Sequence, residues 1–60
     1  MYSWEIHAEL ERNNYIISVE IYNEICKSPQ VQKIKYEPSG DYYELYTNDE
    51  YYWKFRVIKE

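Results

Sequence analysis

A single cysteine, Cys26, and a single histidine, His7, leave this chain without either staple on which very short proteins ordinarily rest. No disulfide can close, and no Cys/His set can hold a structural zinc. At 60 residues folding hides only about 60% of the surface that the unfolded chain exposes. Side-chain burial alone must therefore hold together one domain, residues 1–60. The means is aromatic: nine tyrosines, two tryptophans and one phenylalanine. Each can bury roughly 150–250 Å², which is how so short a chain collects a core.

Tyr2, Trp4, Ile6, Ala8 and Leu10 alternate with Ser3, Glu5, His7, Glu9 and Glu11. That period of two predicts an opening strand with one buried face, since a helix would set Trp4 and Ala8 nearly opposite Ile6 and Leu10. Only Ala8-Glu9-Leu10-Glu11-Arg12, read alone, favours a helix. Asn13-Asn14 tolerates positive φ and predicts a two-residue hairpin turn that pairs Leu10 with Ile17 and Ala8 with Val19. The return strand is short, because the period changes from Val19 onward. Val19, Ile21, Tyr22, Ile25 and Cys26 share one helical face, with Glu20, Asn23, Glu24 and Lys27 on the other. Ser18 as N-cap and Ser28-Pro29 as a stop bound a helix over residues 19–27. A long second strand through residues 15–22 is the competing arrangement.

Three strands follow, joined by turns at Pro38-Ser39-Gly40-Asp41 and Asn48-Asp49-Glu50. Parity sets their faces. With Ile34 and Tyr36 inward, an even first loop brings Leu45 and Tyr43 opposite them, and a three-residue second loop aligns Leu45 with Trp53 and Tyr43 with Phe55. The expectation is an α+β domain: a small antiparallel β-sheet of four to five strands, in the order β-(short β)-α-β-β-β, with one helix packed on one face. Its core would be Trp4, Ile6, Leu10, Ile34, Tyr36, Tyr43, Leu45, Trp53, Phe55 and Val57, closed by Val19, Ile21, Tyr22 and Ile25 of the helix.

The same parity turns Lys33, Lys35, Glu37, Tyr42, Glu44, Tyr46, Tyr52, Lys54, Arg56 and Ile58 to the opposite side. Glu44 then lies between Lys35 and Lys54, Tyr46 between Lys33 and Tyr52, and Tyr42 opposite Arg56. In the plainer reading these are solvated cross-strand pairs contributing roughly 0.2–1 kcal/mol each. In the functional reading Tyr42, Tyr46 and Tyr52 make a recognition surface, since tyrosine supplies large contact area at protein interfaces. The aromatics interleaved with Lys33, Lys35, Lys54 and Arg56 also have the ingredients of a single-stranded nucleic-acid platform. A formal net charge of −4, with Glu37 and Glu44 inside the patch, disfavours nucleic acid.

Most of the acidic excess lies in residues 1–30, where Arg12 and Lys27 face Glu5, Glu9, Glu11, Glu20 and Glu24. Glu5, Glu9 and Glu11 on the outer face of the first strand, Glu20 and Glu24 on the helix, and Asp49-Glu50 with Tyr51 at the last turn would complement a basic groove on a partner. These features point to a non-catalytic protein-binding domain, a stoichiometric inhibitor or regulator. Its contacts would come from Tyr42, Glu44, Tyr46, Tyr52, Asp49, Glu50, Tyr51, Glu20 and Glu24. A protein partner that itself binds or cuts nucleic acid fits this charge. Small acidic α+β proteins of phages and mobile elements that inhibit restriction or CRISPR nucleases share the size and charge, an analogy rather than a sequence resemblance. The alternatives are a nucleic-acid-binding module using the outer face and a homo-oligomeric structural subunit paired through strand edges; monomer and homodimer both fit.

Catalytic chemistry has little footing. Glu37, Asp41, Asp49 and Glu50 lie in or beside turns, where polar residues belong without any two-carboxylate mechanism. Cys26 falls on the apolar helix face as a core thiol and His7 on the outer strand face, so no nucleophilic dyad forms. One glycine cannot build either phosphate-binding loop, and so small a fold has little room for a pocket of about 300 Å³. No enzyme activity, cofactor or metal is expected. Met1-Tyr2-Ser3-Trp4-Glu5 lacks leader character and the longest aliphatic run is Ile16-Ile17, which, with a free cysteine, predicts a cytoplasmic protein without membrane contact.

Overall fold

In the computed structural model, which describes residues 1–58, Ser3–Arg12 forms helix α1, Ile16–Ser18 strand β1 and Val19–Cys26 helix α2. Val31–Glu37, Tyr42–Thr47 and Tyr52–Ile58 form strands β2, β3 and β4. The α+β class holds, with four strands in one sheet ordered β1-β4-β3-β2. Strands β2, β3 and β4 are the antiparallel meander. Strand β1 joins β4 in parallel, pairing Ile17 with Val57, so the sheet is mixed.

The opening strand is a correction: residues 3–12 are helical. The face that decides is Ser3, Ile6 and Leu10, all buried, at the i, i+3, i+7 spacing of a helix packed on a core. Ala8 through Arg12 supply strong helix formers. At the N-terminus the Glu5 carboxylate accepts from the Tyr2 amide at 2.8 Å, which satisfies one of the free donors there. The Arg12 guanidinium pairs with Glu9 at 2.9 Å across one turn.

The predicted Asn13-Asn14 hairpin is a helix stop. The Tyr15 amide donates to the Leu10 carbonyl at 2.7 Å and the Asn14 amide to Glu11 at 3.1 Å, the paired bonds of a Schellman motif. Asn14 and Tyr15 hold φ of 56° and 61°. The conformational reading of Asn14 was sound, but it ends α1 instead of reversing a strand, so Leu10 does not pair with Ile17 or Ala8 with Val19. The chain leaves as β1, tied to β4 by the Arg56 amide on the Tyr15 carbonyl at 2.8 Å.

Helix α2 begins where the sequence indicates, with the Ser18 hydroxyl accepting from the Ile21 amide at 3.3 Å, and Lys27 is its C-cap. Ile25 is fully buried, with Ile21 and Tyr22 packed on the core. Val19 and Cys26 are both exposed, against expectation, because the buried stripe of α2 is narrower than the apolar stripe in its sequence.

The meander follows the parity argument. Ile34 pairs with Leu45 and Tyr36 with Tyr43, while Leu45 pairs with Trp53 and Tyr43 with Phe55. The β3–β4 loop is a three-residue connection: the Glu50 amide bonds the Thr47 carbonyl at 3.2 Å and Glu50 takes φ 72°, as a type I turn followed by a left-handed residue requires. In the β2–β3 turn Asp41, at φ 52°, takes the left-handed position and Gly40 does not. Gly40 is needed for space, since a Cβ there would stand 2.5 Å from the Tyr42 ring.

The core is Ile6 and Leu10 of α1, Ile17 of β1, Ile25 of α2, Leu45 of β3 and Phe55 of β4. Both helices thus reach the Leu45–Phe55 face of the two central strands. Trp4 and Tyr36, expected inside, are out. Trp4 is turned away by the helical period, and Tyr36 sits near the end of the edge strand β2, 45% exposed, with its hydroxyl on Asp41 at 2.8 Å. Ile17, expected beside Leu10 in a hairpin and not among the core residues, fills part of the space. Among the described residues no helix is long and apolar enough to cross a membrane.

Candidate functional site

The outer face of the meander has the predicted register. Lys35, Glu44 and Lys54 lie in one row, and Lys33, Tyr46 and Tyr52 in the next. Two of its cations are engaged with rings: the Lys33 ammonium lies 4.8 Å from the Tyr46 centroid and that of Lys54 5.1 Å from Tyr42. Tyr42 therefore takes Lys54, not Arg56, as its cation; the Arg56 guanidinium reaches the Gly40 carbonyl at 3.5 Å. Glu44 accepts from the Tyr52 hydroxyl and makes no ion pair with either flanking lysine. That bond pushes the Tyr52 hydroxyl up to about 12, because a neighbouring carboxylate favours the protonated phenol.

The acidic residues disperse. Glu5, Glu9 and Glu11 lie on α1, where Glu5 caps, Glu9 holds Arg12 and Glu11 stands 3.6 Å from His7. Glu20 and Glu24 border an open hollow of about 540 Å³ with Met1, Glu9, Ile21, Asn23 and Lys27, larger than such a chain was expected to offer but lying outside the core. Glu24 is 3.6 Å from Lys27. Cys26 is exposed on α2, not buried, and His7 is on α1, its Nε2 3.1 Å from the Tyr15 hydroxyl.

A different cluster is brought together by the helical turn of residues 3–12. Trp4 is 71% exposed, Tyr2 64% and Tyr51 55%. Trp4 and Tyr51 border two adjoining clefts, one of about 270 Å³ completed by Tyr2, Ser3, Gln30 and Asp49, the other of about 120 Å³ completed by Ser3, His7 and Trp53. The rings of Tyr51 and His7 lie nearly parallel to the Trp53 indole, with centroids 5.5 and 5.1 Å away. Stacked and tilted ring pairs of this kind add about 0.5–1.5 kcal/mol beyond burial.

The backbone around the cluster is fixed from several sides. The buried Thr47 accepts from the Tyr51 amide through its hydroxyl at 2.9 Å, and its own amide donates to the Tyr51 carbonyl at 3.0 Å. Asn48 holds the α2–β2 connection, donating from its amide to Gln30 and from its side chain to Pro29, each at 2.8 Å. The Ser3 hydroxyl donates to Asp49 Oδ1 at 2.6 Å, joining the start of α1 to the β3–β4 turn. Ser3, and then the Thr47 hydroxyl, hold the Asp49 carboxyl below its ordinary range.

Of the sequence candidates, Asp49 and Tyr51 belong to this cluster, and Glu50 adjoins them. Tyr42, Glu44, Tyr46 and Tyr52 form a separate group on the outer sheet face. Tyr2, Trp4, His7 and Trp53 were missed as site residues because they were assigned to a strand or to the core. The helix-forming run Ala8–Arg12, extended back toward Tyr2, was the signal that places Trp4 outside. Among the described residues no group of His, Cys, Asp and Glu could hold a metal ion. No family model matches the chain, and no curated protein or solved structure matches it either.

Proposed function

We propose that this chain is a non-catalytic protein-binding domain, a stoichiometric regulator that docks its aromatic and acidic end on a basic surface of a partner protein. One observation carries the reading: Tyr2, Trp4 and Tyr51 gather at one end of the fold, each more than half exposed. A chain short of apolar area would gain by burying these rings, yet the fold leaves them outward. Trp and Tyr are the side chains on which interface energy concentrates, and Asp49 and Glu50 beside them give the patch its sign. A partner that ordinarily holds nucleic acid would present a surface of matching charge, and occupying it would inhibit that partner.

The nucleic-acid reading of the outer face has weaker support, since Lys33 and Lys54 already cover ring faces on which bases would stack. The test is affinity capture from the source cells with the tagged chain, Trp4→Ala/Tyr51→Ala and Tyr42→Ala/Tyr52→Ala. A stoichiometric partner lost only with the first pair of substitutions supports docking through the aromatic end. Loss only with the second pair, or salt-sensitive oligonucleotide binding that Tyr42→Ala and Arg56→Ala abolish, would overturn it.

A further inference from the structure

We infer that the cleft bordered by Tyr2, Trp4 and Tyr51 is a receptor for one arginine side chain of the partner; this rests on the docking mode proposed above and specifies its central contact. The cleft has aromatic walls and one carboxylate, and among the described residues neither it nor its smaller neighbour is lined by a lysine or arginine. On the outer sheet face, by contrast, Tyr42 and Tyr46 each carry a lysine of the chain itself. Those two half-buried rings have their cation from the chain itself, whereas among the described residues the cleft has none.

Asp49 sets the charge. Its carboxylate takes the Ser3 hydroxyl on Oδ1 and, among the described residues, has no cationic partner. Lone-pair directions remain for an incoming donor. The start of α1 contributes a partial charge of about +0.5, which alone would repel a cation. Glu5, bonded at that helix end, and Asp49 together outweigh it, and Glu50 adds to the same sign.

Size and shape narrow the ligand. A cleft of about 270 Å³ falls just below the roughly 300–1,000 Å³ usual for small-molecule sites, a scale suited to one side chain. Between aromatic faces and a carboxylate, a planar guanidinium stacks and donates at once, whereas an ammonium is a compact, strongly hydrated point charge. Ring faces attract either cation. The combination of stacking walls and one acceptor favours arginine.

The probe is the blocked tripeptide acetyl-Gly-Arg-Gly-amide, titrated into the whole chain while backbone amide and indole NMR shifts are followed. Saturable shifts are expected at Tyr2, Trp4, Asp49, Tyr51 and the indole of Trp53, with affinity falling about tenfold in Asp49→Asn and in Trp4→Ala. The citrulline tripeptide, equal in shape but neutral, is expected to bind at least about tenfold more weakly. No saturable shift, an equal response to citrulline, or equal binding of the lysine tripeptide would overturn the inference. Partner capture that needs Trp4 and Tyr51 but tolerates Asp49→Asn would leave the docking mode standing and remove the arginine. Arginine binding at the cleft with capture indifferent to Trp4 and Tyr51 would support the receptor and remove the docking mode.

Discussion

The imidazole of His7 lies flat on the indole of Trp53, 5.1 Å between centroids and 10° from parallel. This contact ties α1 to a central strand of the sheet and forms the inner wall of the smaller cleft. A double-mutant cycle with His7→Ala and Trp53→Leu, followed by urea unfolding, is expected to give a coupling of about 0.5–1.5 kcal/mol. Additivity within about 0.3 kcal/mol would mean that the rings share space without supporting one another.

Trp4 and Leu10 separate the helix from a strand. Leu10 is fully buried and Trp4 is largely exposed, whereas a strand would put both on one face. Leu10→Ala is expected to destabilise by about 2–5 kcal/mol, against a total of roughly 3–9 kcal/mol for a chain of this length. Trp4→Ala is expected to stay within about 0.5 kcal/mol of the parent. Calorimetry on both variants decides, and comparable losses would return Trp4 to the core.

The meander was legible because its faces obey parity: once Ile34 was set inward, loop lengths carried Leu45, Trp53, Tyr43 and Phe55 with it. Residues 2–11 were not, because their apolar alternation imitates a strand. The helical face that wins contains Ser3 and His7, which read as polar, and excludes Trp4, the largest apolar residue present. The parallel seat of β1 was also hidden, since three residues carry almost no register information and Asn14 suits a hairpin and a Schellman stop equally well. The site suffered accordingly: Asp49 and Tyr51 could be named from their turn, but Tyr2 and Trp4 join them only when residues 3–12 wind into a helix.

Tyr52 and Glu44 make an alkaline prediction. With the Tyr52 hydroxyl raised from 10.0 to about 12 by its bond to Glu44, the unfolded chain loses this proton first. Stability from the pair is complete below the unfolded value and is lost as pH climbs from 10 toward 12. Ultraviolet titration is expected to show a late-ionising phase shared with Tyr22, also raised to about 12 chiefly by burial, whose amplitude Tyr52→Phe reduces and part of which Glu44→Gln brings earlier. A late phase of undiminished amplitude in Tyr52→Phe would assign it to Tyr22 alone.

Gly40 tests the close approach of Tyr42. A methyl group at Gly40 would meet ring carbons at 2.5 Å, so the ring must swing off the turn and leave Lys54. Gly40→Ala is expected to cost about 1–3 kcal/mol, and the same change made on Tyr42→Ala is expected to be close to neutral. Urea midpoints of the four proteins measure this. An equal loss in both backgrounds would place the strain in the backbone of the turn.

Asp49 and Ser3 make an acid prediction on the site itself. The Ser3 hydroxyl, with help from Thr47, lowers the Asp49 carboxyl below its ordinary 3.8, so the folded chain holds this proton less tightly than the unfolded one. The stabilisation is therefore present above the unfolded value and disappears as pH falls through the lower folded value. Ser3→Ala is expected to be less stable than the parent at neutral pH, with the gap closing in acid, while Asp49→Asn flattens the same limb of the profile. Because Ser3 joins the start of α1 to the β3–β4 turn, its loss also loosens the turn that carries Tyr51. Amide exchange at Tyr51 should then accelerate in Ser3→Ala at neutral pH more than in acid. A gap between Ser3→Ala and parent that stays constant with pH would show that the serine acts by packing alone and that Asp49 owes its charge to other neighbours.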